Sequence, residues 1–354
     1  MISKVSTIAG AVLAAWSFGA SAAPLKAKDL SPERKQAIIQ HQTNVLAKPY
    51  LGVLPAEKPA RPVSEVEEAG YLFFSADTNF NSYEAKQLLA KHLPAGVTLV
   101  IFAEPGANKA KILKSYEKVI DVSRIRVIEI NDASSGFWAR DGLPIPVWSK
   151  TGAMDLVDSR YYHGFEPDKE LQRMFGSYLY KNEFYYEGGN FMANDRGDCL
   201  MVDTDEASQI PDDIFTDMLG CQRTIRFPFE KGIGHIDETV RFLKSNLVVT
   251  DSKDYAATLR NGGFEVLMLP RPNRTYETYV NAMLVNDTVY VPVYNEAKDN
   301  EALDVYRSAG LKVIPIESIE LSNEGLGSIH CIVFAYPKVP FNYLLARLGA
   351  KEIK

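Results

Sequence analysis

Short runs rich in β-branched and aromatic residues alternate with helical patterns along most of this chain. Tyr71 to Phe74 reads as a strand and is followed by helix-like patterning over Tyr83 to His92. Val97 to Phe102 and Ile125 to Ile130 are again strand-like, with a helical stretch near Lys109 to Val119 between them. Similar cycles recur around 183–227, 238–269 and 280–316. Strands alternating with helices predict a mixed α/β protein. The cycles are irregular in length, and no residue-level repeat of fixed period marks a solenoid. No Pro/Gly/Ser-rich linker follows residue 65, so residues 66–354 are expected to form one domain.

The segment ahead of that body has a different character. Residues 1–22 combine Lys4, an apolar stretch from about Val5 to Phe18, and the small residues Ala20-Ser21-Ala22, which together predict a secretory signal peptide cleaved after Ala22. The apolar stretch is too short for a spanning helix, and no later segment has the length of apolar sequence that a membrane span needs. Residues 23–65 then read as an N-terminal helix and an extended connector. Ser31-Pro32-Glu33 has the pattern of a helix start, with the helix running to about Leu46. Pro49, Pro55, Pro59 and Pro62 keep the rest extended. The expected destination is secreted or periplasmic.

Export makes the three cysteines informative. In an oxidising compartment Cys199 and Cys221 could be linked, while Cys331 stands apart far down the chain. An unpaired thiol in an exported protein is commonly a buried and inert one, unless its neighbours lower its pKa. Charge narrows the partners. The formal net charge is −6, the pI is near 5.6, and no run of Lys and Arg resembles a nucleic-acid footprint. A mildly acidic surface instead suits a cationic ligand.

Four stretches concentrate ionisable and glycine residues: Trp138-Ala139-Arg140-Asp141, Glu187-Gly188-Gly189-Asn190, Gly234-His235-Ile236-Asp237 and Gly325-Leu326-Gly327-Ser328-Ile329-His330-Cys331. The β-branched residues after Asp237 favour a strand, on which His235 and Asp237 would share a face; the imidazole could move protons while the carboxylate binds a cation. Cys331 precedes the apolar run Ile332-Val333-Phe334, and Gly325 and Gly327 would let backbone approach a ligand. On a strand His330 would face away from the Cys331 side, which leaves His235 as the expected partner of the thiol. Asp141 and Asp237 could clamp the fork of a planar guanidinium, and Glu187 could orient or charge the histidine.

In this order the four stretches resemble those of the agmatine deiminase and Porphyromonas-type peptidylarginine deiminase family, guanidine-modifying enzymes of the pentein fold. Tyr279-Val280-Asn281-Ala282 and Asn286-Asp287-Thr288-Val289-Tyr290-Val291-Pro292 look like the segments before that family's catalytic cysteine, so the likeness spans roughly residues 70–340. It implies a five-bladed α/β propeller of ββαβ units around a central site. It also implies roles: Cys331 as nucleophile, His235 as general acid and base, Asp141 and Asp237 as guanidinium ligands, and Glu187 as the histidine's partner. Trp138, Asn190, Asn281 and Arg160 are expected to contact substrate. Neither a metal nor an organic cofactor is called for.

The expected reaction is hydrolysis of a guanidinium C–N bond, with ammonia released and a thiouronium carried on Cys331. Export favours peptidyl or protein arginine as substrate. Agmatine is the alternative, because the stretch Asp158-Ser159-Arg160-Tyr161-Tyr162-His163-Gly164 has one arginine where the exported family member has two for a substrate carboxylate. A non-catalytic guanidinium-binding protein is the reading from a different class.

Overall fold

The computed structural model describes residues 57–158, 165, 167–181 and 187–340. The signal peptide, the helix expected from Ser31 to Leu46 and Arg160 lie outside the described residues.

The chain is an α/β protein, as the alternation of strand and helix patterns predicts, and its strands fall into five sheets. Four of these repeat one plan: an antiparallel hairpin, helical segments, and a third strand that returns parallel to the second. In chain order they are Ile145–Trp148, Met154–Val157 and Leu179–Tyr180; Met192–Ala193, Asp198–Asp203 and Arg223–Pro228; Val240–Phe242, Leu247–Thr250 and Glu265–Met268; and Met283–Val285, Thr288–Val293 and Lys312–Glu317. Arg61–Pro62 adds an edge strand antiparallel to Ile145–Trp148.

The fifth sheet joins the two ends of the described chain. Phe334–Pro337 pairs antiparallel with Ala69–Ser75, which continues in parallel to Thr98–Ala103 and Ile125–Glu129. It therefore follows the same plan, with its hairpin partner supplied from near the other terminus. The strand Ala69–Ser75 is buried along its whole length, as a strand covered on both faces should be. Leu72 and Phe74 pack with Leu89, Ile101 and Tyr116 on one side, while Phe73 packs with Phe102, Leu156 and Phe165 on the other. Each such side chain contributes roughly 1.5–3 kcal/mol of transfer free energy.

Local signals set the element ends. Asn108 caps the helix Lys109–Tyr116 by accepting from Lys111 N at 3.0 Å, and Ser252 caps Lys253–Asn261 by accepting from Tyr255 N at 3.2 Å. Asn286 turns the Met283–Val285 hairpin with φ of 57°, and its Oδ1 accepts from Ala69 N at 2.8 Å, tying one sheet to the next. A disulfide links Cys199 to Cys221, and both sulfurs are buried beside Met201, Phe215 and Leu219. Among the described residues no helix is long and apolar enough to cross a membrane.

Candidate active site

Each of the five sheets delivers candidate site residues from the segment leading into its opening strand. Asp141 lies on the short helix Ala139–Gly142 ahead of Ile145–Trp148. Glu187 caps the 3-10 turn Gly188–Asn190 ahead of Met192–Ala193, and His235 caps the turn Ile236–Glu238 ahead of Val240–Phe242. Asn281 precedes Met283–Val285, and Cys331 sits in a turn ahead of Phe334–Pro337. Backbone inside a sheet is committed to the ladder and the pleat, whereas these entry segments are free to turn several side chains toward one point. This corrects two expectations. His235 and Asp237 share a turn rather than a strand face, since the strand begins only at Val240. The alternation rule does not apply to His330 either, because it too lies in a turn.

Gly189 marks the middle of the cluster. A Cβ at that position would lie 2.5 Å from His235 Nδ1, 2.8 Å from Asp141 Oδ1 and 3.3 Å from Asp237 Oδ2, so only glycine allows the three groups to converge there. Gly189 N also donates to Asp141 Oδ1 at 3.0 Å. His235 Nε2 is 2.7 Å from Glu187 Oε2, and its Nδ1 is 3.6 Å from Asp141 Oδ1. The pairing of Glu187 with His235 is thus present in the geometry. Asn281 Nδ2 stands 3.3 Å from Cys331 Sγ, and Asp237 Oδ2 stands 3.9 Å from that sulfur. No hydrogen bond joins Cys331 to His235 among the described residues; Asp237 lies next to both.

The site is buried and rich in carboxylates. Asp237 is fully buried, and Cys331, His235 and Asp141 are nearly so. Burial would drive His235 toward the neutral form, but Asp141, Glu187 and Asp237 outweigh it and raise its pKa to about 10. The ring is therefore an imidazolium at neutral pH. Burial raises Asp141 to about 8 against the pull of His235, with repulsion from Glu187 and Asp237 adding to the rise. Burial, with repulsion from Asp237, likewise raises Glu238 to about 7. Cys331 is pushed well above an ordinary thiol by burial, then by the nearby carboxylates of Asp237 and Asp141. Asp237 Oδ1 and His235 Nδ1 are buried with no hydrogen-bond partner among the described residues. Of the two, Asp237 Oδ1 is an acceptor, and with Asp141 beside it the site suits a planar cation with several N–H donors.

Behind Asp237 lies a layer that sequence reasoning missed. His330 Nδ1 contacts Asp237 Oδ2, and Glu65 bridges His330, Arg140 and Arg241. Burial disfavours the Glu65 carboxylate, yet Arg140, His330 and Arg241 hold its pKa well below the usual range. Arg140 thus pairs with Glu65, and its guanidinium lies 4.0 Å from the Phe334 ring centroid. The one available signal was Arg241, a lone cation in the apolar strand Val240–Phe242, which requires a buried counter-charge.

The remaining expected substrate contacts divide. Asn281 touches the thiol. The Asn190 side chain is engaged by backbone, donating to Val202 O at 2.9 Å and accepting from Val202 N and Ile236 N at 2.8 and 3.2 Å. That makes it a brace between two of the entry segments. Trp138 packs at 2.6 Å from the Cβ position of Gly327 and 2.9 Å from that of Gly325, and its ring stacks on Phe80. The glycines before Cys331 therefore make room for an indole.

A family model described as Porphyromonas-type peptidyl-arginine deiminase matches residues 81–337. No curated protein matches the sequence. Among solved structures, an agmatine deiminase from C. jejuni is similar at 22% identity and a TM-score of 0.63, over 78% of this chain and 96% of that one. An agmatine deiminase of Enterococcus faecalis is similar at 18% identity and a TM-score of 0.63, over 82% of this chain and 100% of that one. A Porphyromonas gingivalis protein provisionally assigned as an arginine deiminase also matches at 18% identity and a TM-score of 0.63, over 78% and 98%. At these identities the likeness concerns the fold alone, an α/β architecture shared with these structures.

Proposed function

We propose that this chain, which belongs to the Porphyromonas-type peptidyl-arginine deiminase family, is an exported enzyme that converts peptidyl or protein arginine to citrulline and ammonia through a covalent intermediate on Cys331. Membership makes it a hydrolase-type enzyme acting on guanidino C–N bonds. The observation that carries the guanidinium chemistry is the buried Asp237 Oδ1, without a hydrogen-bond partner among the described residues, on a carboxylate that lies beside Asp141, His235 and Cys331.

The chemistry follows from the charges. An entering guanidinium, held by Asp141 and Asp237, brings positive charge beside the Cys331 thiol and offsets the carboxylates that keep it protonated. The thiol proton passes to water, where it ends on the ammonia released in the next step, and the thiolate adds to the central guanidinium carbon. His235 enters this step already protonated, so it can give its proton to the departing nitrogen, and ammonia leaves as the C–N bond breaks. A thiouronium remains on Cys331. The neutral His235 then takes a proton from water, the hydroxide adds to the same carbon, and the C–S bond breaks as the added hydroxyl gives its proton to the sulfur, leaving the ureido product and the Cys331 thiol. Glu187, hydrogen-bonded to His235, holds the ring in position through both halves.

The five sheets support a cyclic arrangement as five blades, because Phe334–Pro337 completes the sheet begun by Ala69–Ser75. Export is supported by residues 1–22 and by the Cys199–Cys221 disulfide, which suits an oxidising compartment. The mature N-terminus, read by mass spectrometry of the protein from its native host, should begin at Ala23. A start at Met1 would count against export.

A second reading, agmatine to N-carbamoylputrescine, is favoured by Arg160 being the one arginine of the stretch 158–164. The deciding experiment offers purified protein an arginyl peptide, free arginine and agmatine, with ammonia and ureido product as readouts. Turnover of agmatine alone would replace the first reading with the second.

A further inference from the structure

A buried chain of charge runs from Asp237 away from the substrate side. His330 Nδ1 lies 2.6 Å from Asp237 Oδ2, and His330 Nε2 lies 2.8 Å from Glu65 Oε1. Glu65 is fixed in turn, since Arg241 Nη1 donates to its Oε2 at 2.6 Å and Arg140 Nη2 stands 2.9 Å from Oε1. The side chains of Asp237, His330 and Arg241 are all 0% exposed. Both ring nitrogens of His330 face a carboxylate oxygen, so a proton must sit in each gap; facing lone pairs at those distances would repel.

The consequence appears at Asp237. Its Oδ2 is tied back to His330, while Oδ1 is buried and unpartnered among the described residues. A carboxylate pinned through one oxygen presents the other in one direction. We propose that Glu65 and His330 are positioning residues for the guanidinium: together they fix the Asp237 carboxylate, whose Oδ2 lies 3.9 Å from Cys331 Sγ, in place for the substrate and set how tightly the cation is held. This inference rests on the deiminase reading given above.

The same carboxylate also gathers the segments that carry the reacting groups. Glu65 holds Arg140, which precedes Asp141 and whose backbone N donates to Cys331 O at 3.0 Å. It holds Arg241, whose Nε donates to Val280 O at 3.0 Å, next to Asn281. Finally, it holds His330, the chain neighbour of Cys331. One side chain near the start of the described residues thus ties together the segments bearing Asp141, Asn281 and Cys331.

The test separates positioning from mere support of the fold. His330→Leu removes both hydrogen bonds, whereas His330→Asn places an amide nitrogen where Nδ1 stood and keeps the bond to Asp237. With whichever of agmatine or an arginyl peptide the wild-type protein turns over better, His330→Leu should raise KM roughly 10- to 100-fold, the range for losing a charge-assisted hydrogen bond. His330→Asn should recover most of that loss while Glu65→Gln, which weakens the relay at its far end, should raise KM by a smaller factor. Melting temperatures accompany each variant. A wild-type KM in His330→Leu, or an unrecovered KM in a His330→Asn protein that melts like wild type, would overturn the proposal. If His330→Leu does not fold, His330→Asn and Glu65→Gln decide: unchanged KM in Glu65→Gln also overturns it. Absence of turnover by the wild-type protein on every guanidino compound would instead overturn the deiminase reading, and this one with it.

Discussion

The side-chain amide nitrogen of Asn281 stands 3.3 Å from the sulfur of Cys331, and it is the one side-chain nitrogen found within hydrogen-bond reach of that thiol among the described residues. Burial and two carboxylates work against the thiolate; the Asn281 amide, whose oxygen accepts from the thiol at 3.4 Å, can offer its nitrogen to the sulfur once the proton leaves. Asn281→Ala should slow alkylation of Cys331 by a haloacetamidine and lower kcat/KM by roughly 10- to 100-fold, as expected when a hydrogen bond to a charged group is lost. An alkylation rate equal to wild type at neutral pH would count against this role.

The pH profile should be bell-shaped and displaced to the alkaline side. Asp141 must be ionised to hold a guanidinium, and its pKa is raised to about 8, so kcat/KM should climb as pH passes through that region. His235 must be protonated to serve as acid, and its pKa is raised to about 10, so activity should fall as pH passes that value. The two limbs belong to the coupled pair rather than to either group alone. Glu187→Gln removes a carboxylate that raises His235, so the alkaline limb should move to lower pH. The sign carries over to stability: a raised imidazole pKa stabilises the fold below the ordinary value of 6.5, and that stabilisation is gone once pH exceeds about 10. Rate profiles of both proteins from pH 6 to 11 check the order of the limbs.

The α/β class was legible because strand and helix patterns are local, and the motif residues were legible because glycine and ionisable groups cluster in short stretches. Glu65 was not. It lies in Ser64-Glu65-Val66-Glu67-Glu68, an acidic run that reads as a solvated surface, and its partners Arg241 and His330 are 176 and 265 positions away. No periodicity connects residues at that distance. His330 was set aside by applying strand alternation to a segment that is a turn, and the same assumption put His235 and Asp237 on a strand. β-branched residues signalled a strand correctly there, but it starts at Val240, after the chemistry has been placed. The repeated sheet plan was implied by the family resemblance and not by periodicity, because a shared topology needs no shared residues.

Gly189→Ala probes the convergence point directly. The backbone there is not in the left-handed region, so the methyl group meets only its neighbours: His235 Nδ1 at 2.5 Å and Asp141 Oδ1 at 2.8 Å. Accommodating it must push these groups apart. Overpacking of this kind costs about 1–3 kcal/mol of stability, and a displacement of about 1 Å costs about 100-fold in rate. Calorimetry should therefore show a modest drop in Tm alongside a kcat loss of about 100-fold. Near-wild-type kcat would mean that the three groups do not act as one site.

The Cys199–Cys221 disulfide should affect stability and leave the chemistry alone. Both sulfurs pack among Met201, Phe215 and Leu219, and neither is hydrogen-bonded to Asp141, His235, Asp237 or Cys331 among the described residues. The bond closes a loop with a sequence separation of 22. Closing a loop of that size contributes about 3 kcal/mol, chiefly by restricting the unfolded chain. The Cys199→Ser, Cys221→Ser double variant should lose roughly 5–10 °C in Tm while keeping wild-type kcat at 25 °C. The variant also separates the thiols: an alkylating guanidine analogue should still label one site, Cys331, to the same extent. Loss of that labelling in a protein that remains folded at the assay temperature would mean that the bridge positions the site as well as bracing the fold.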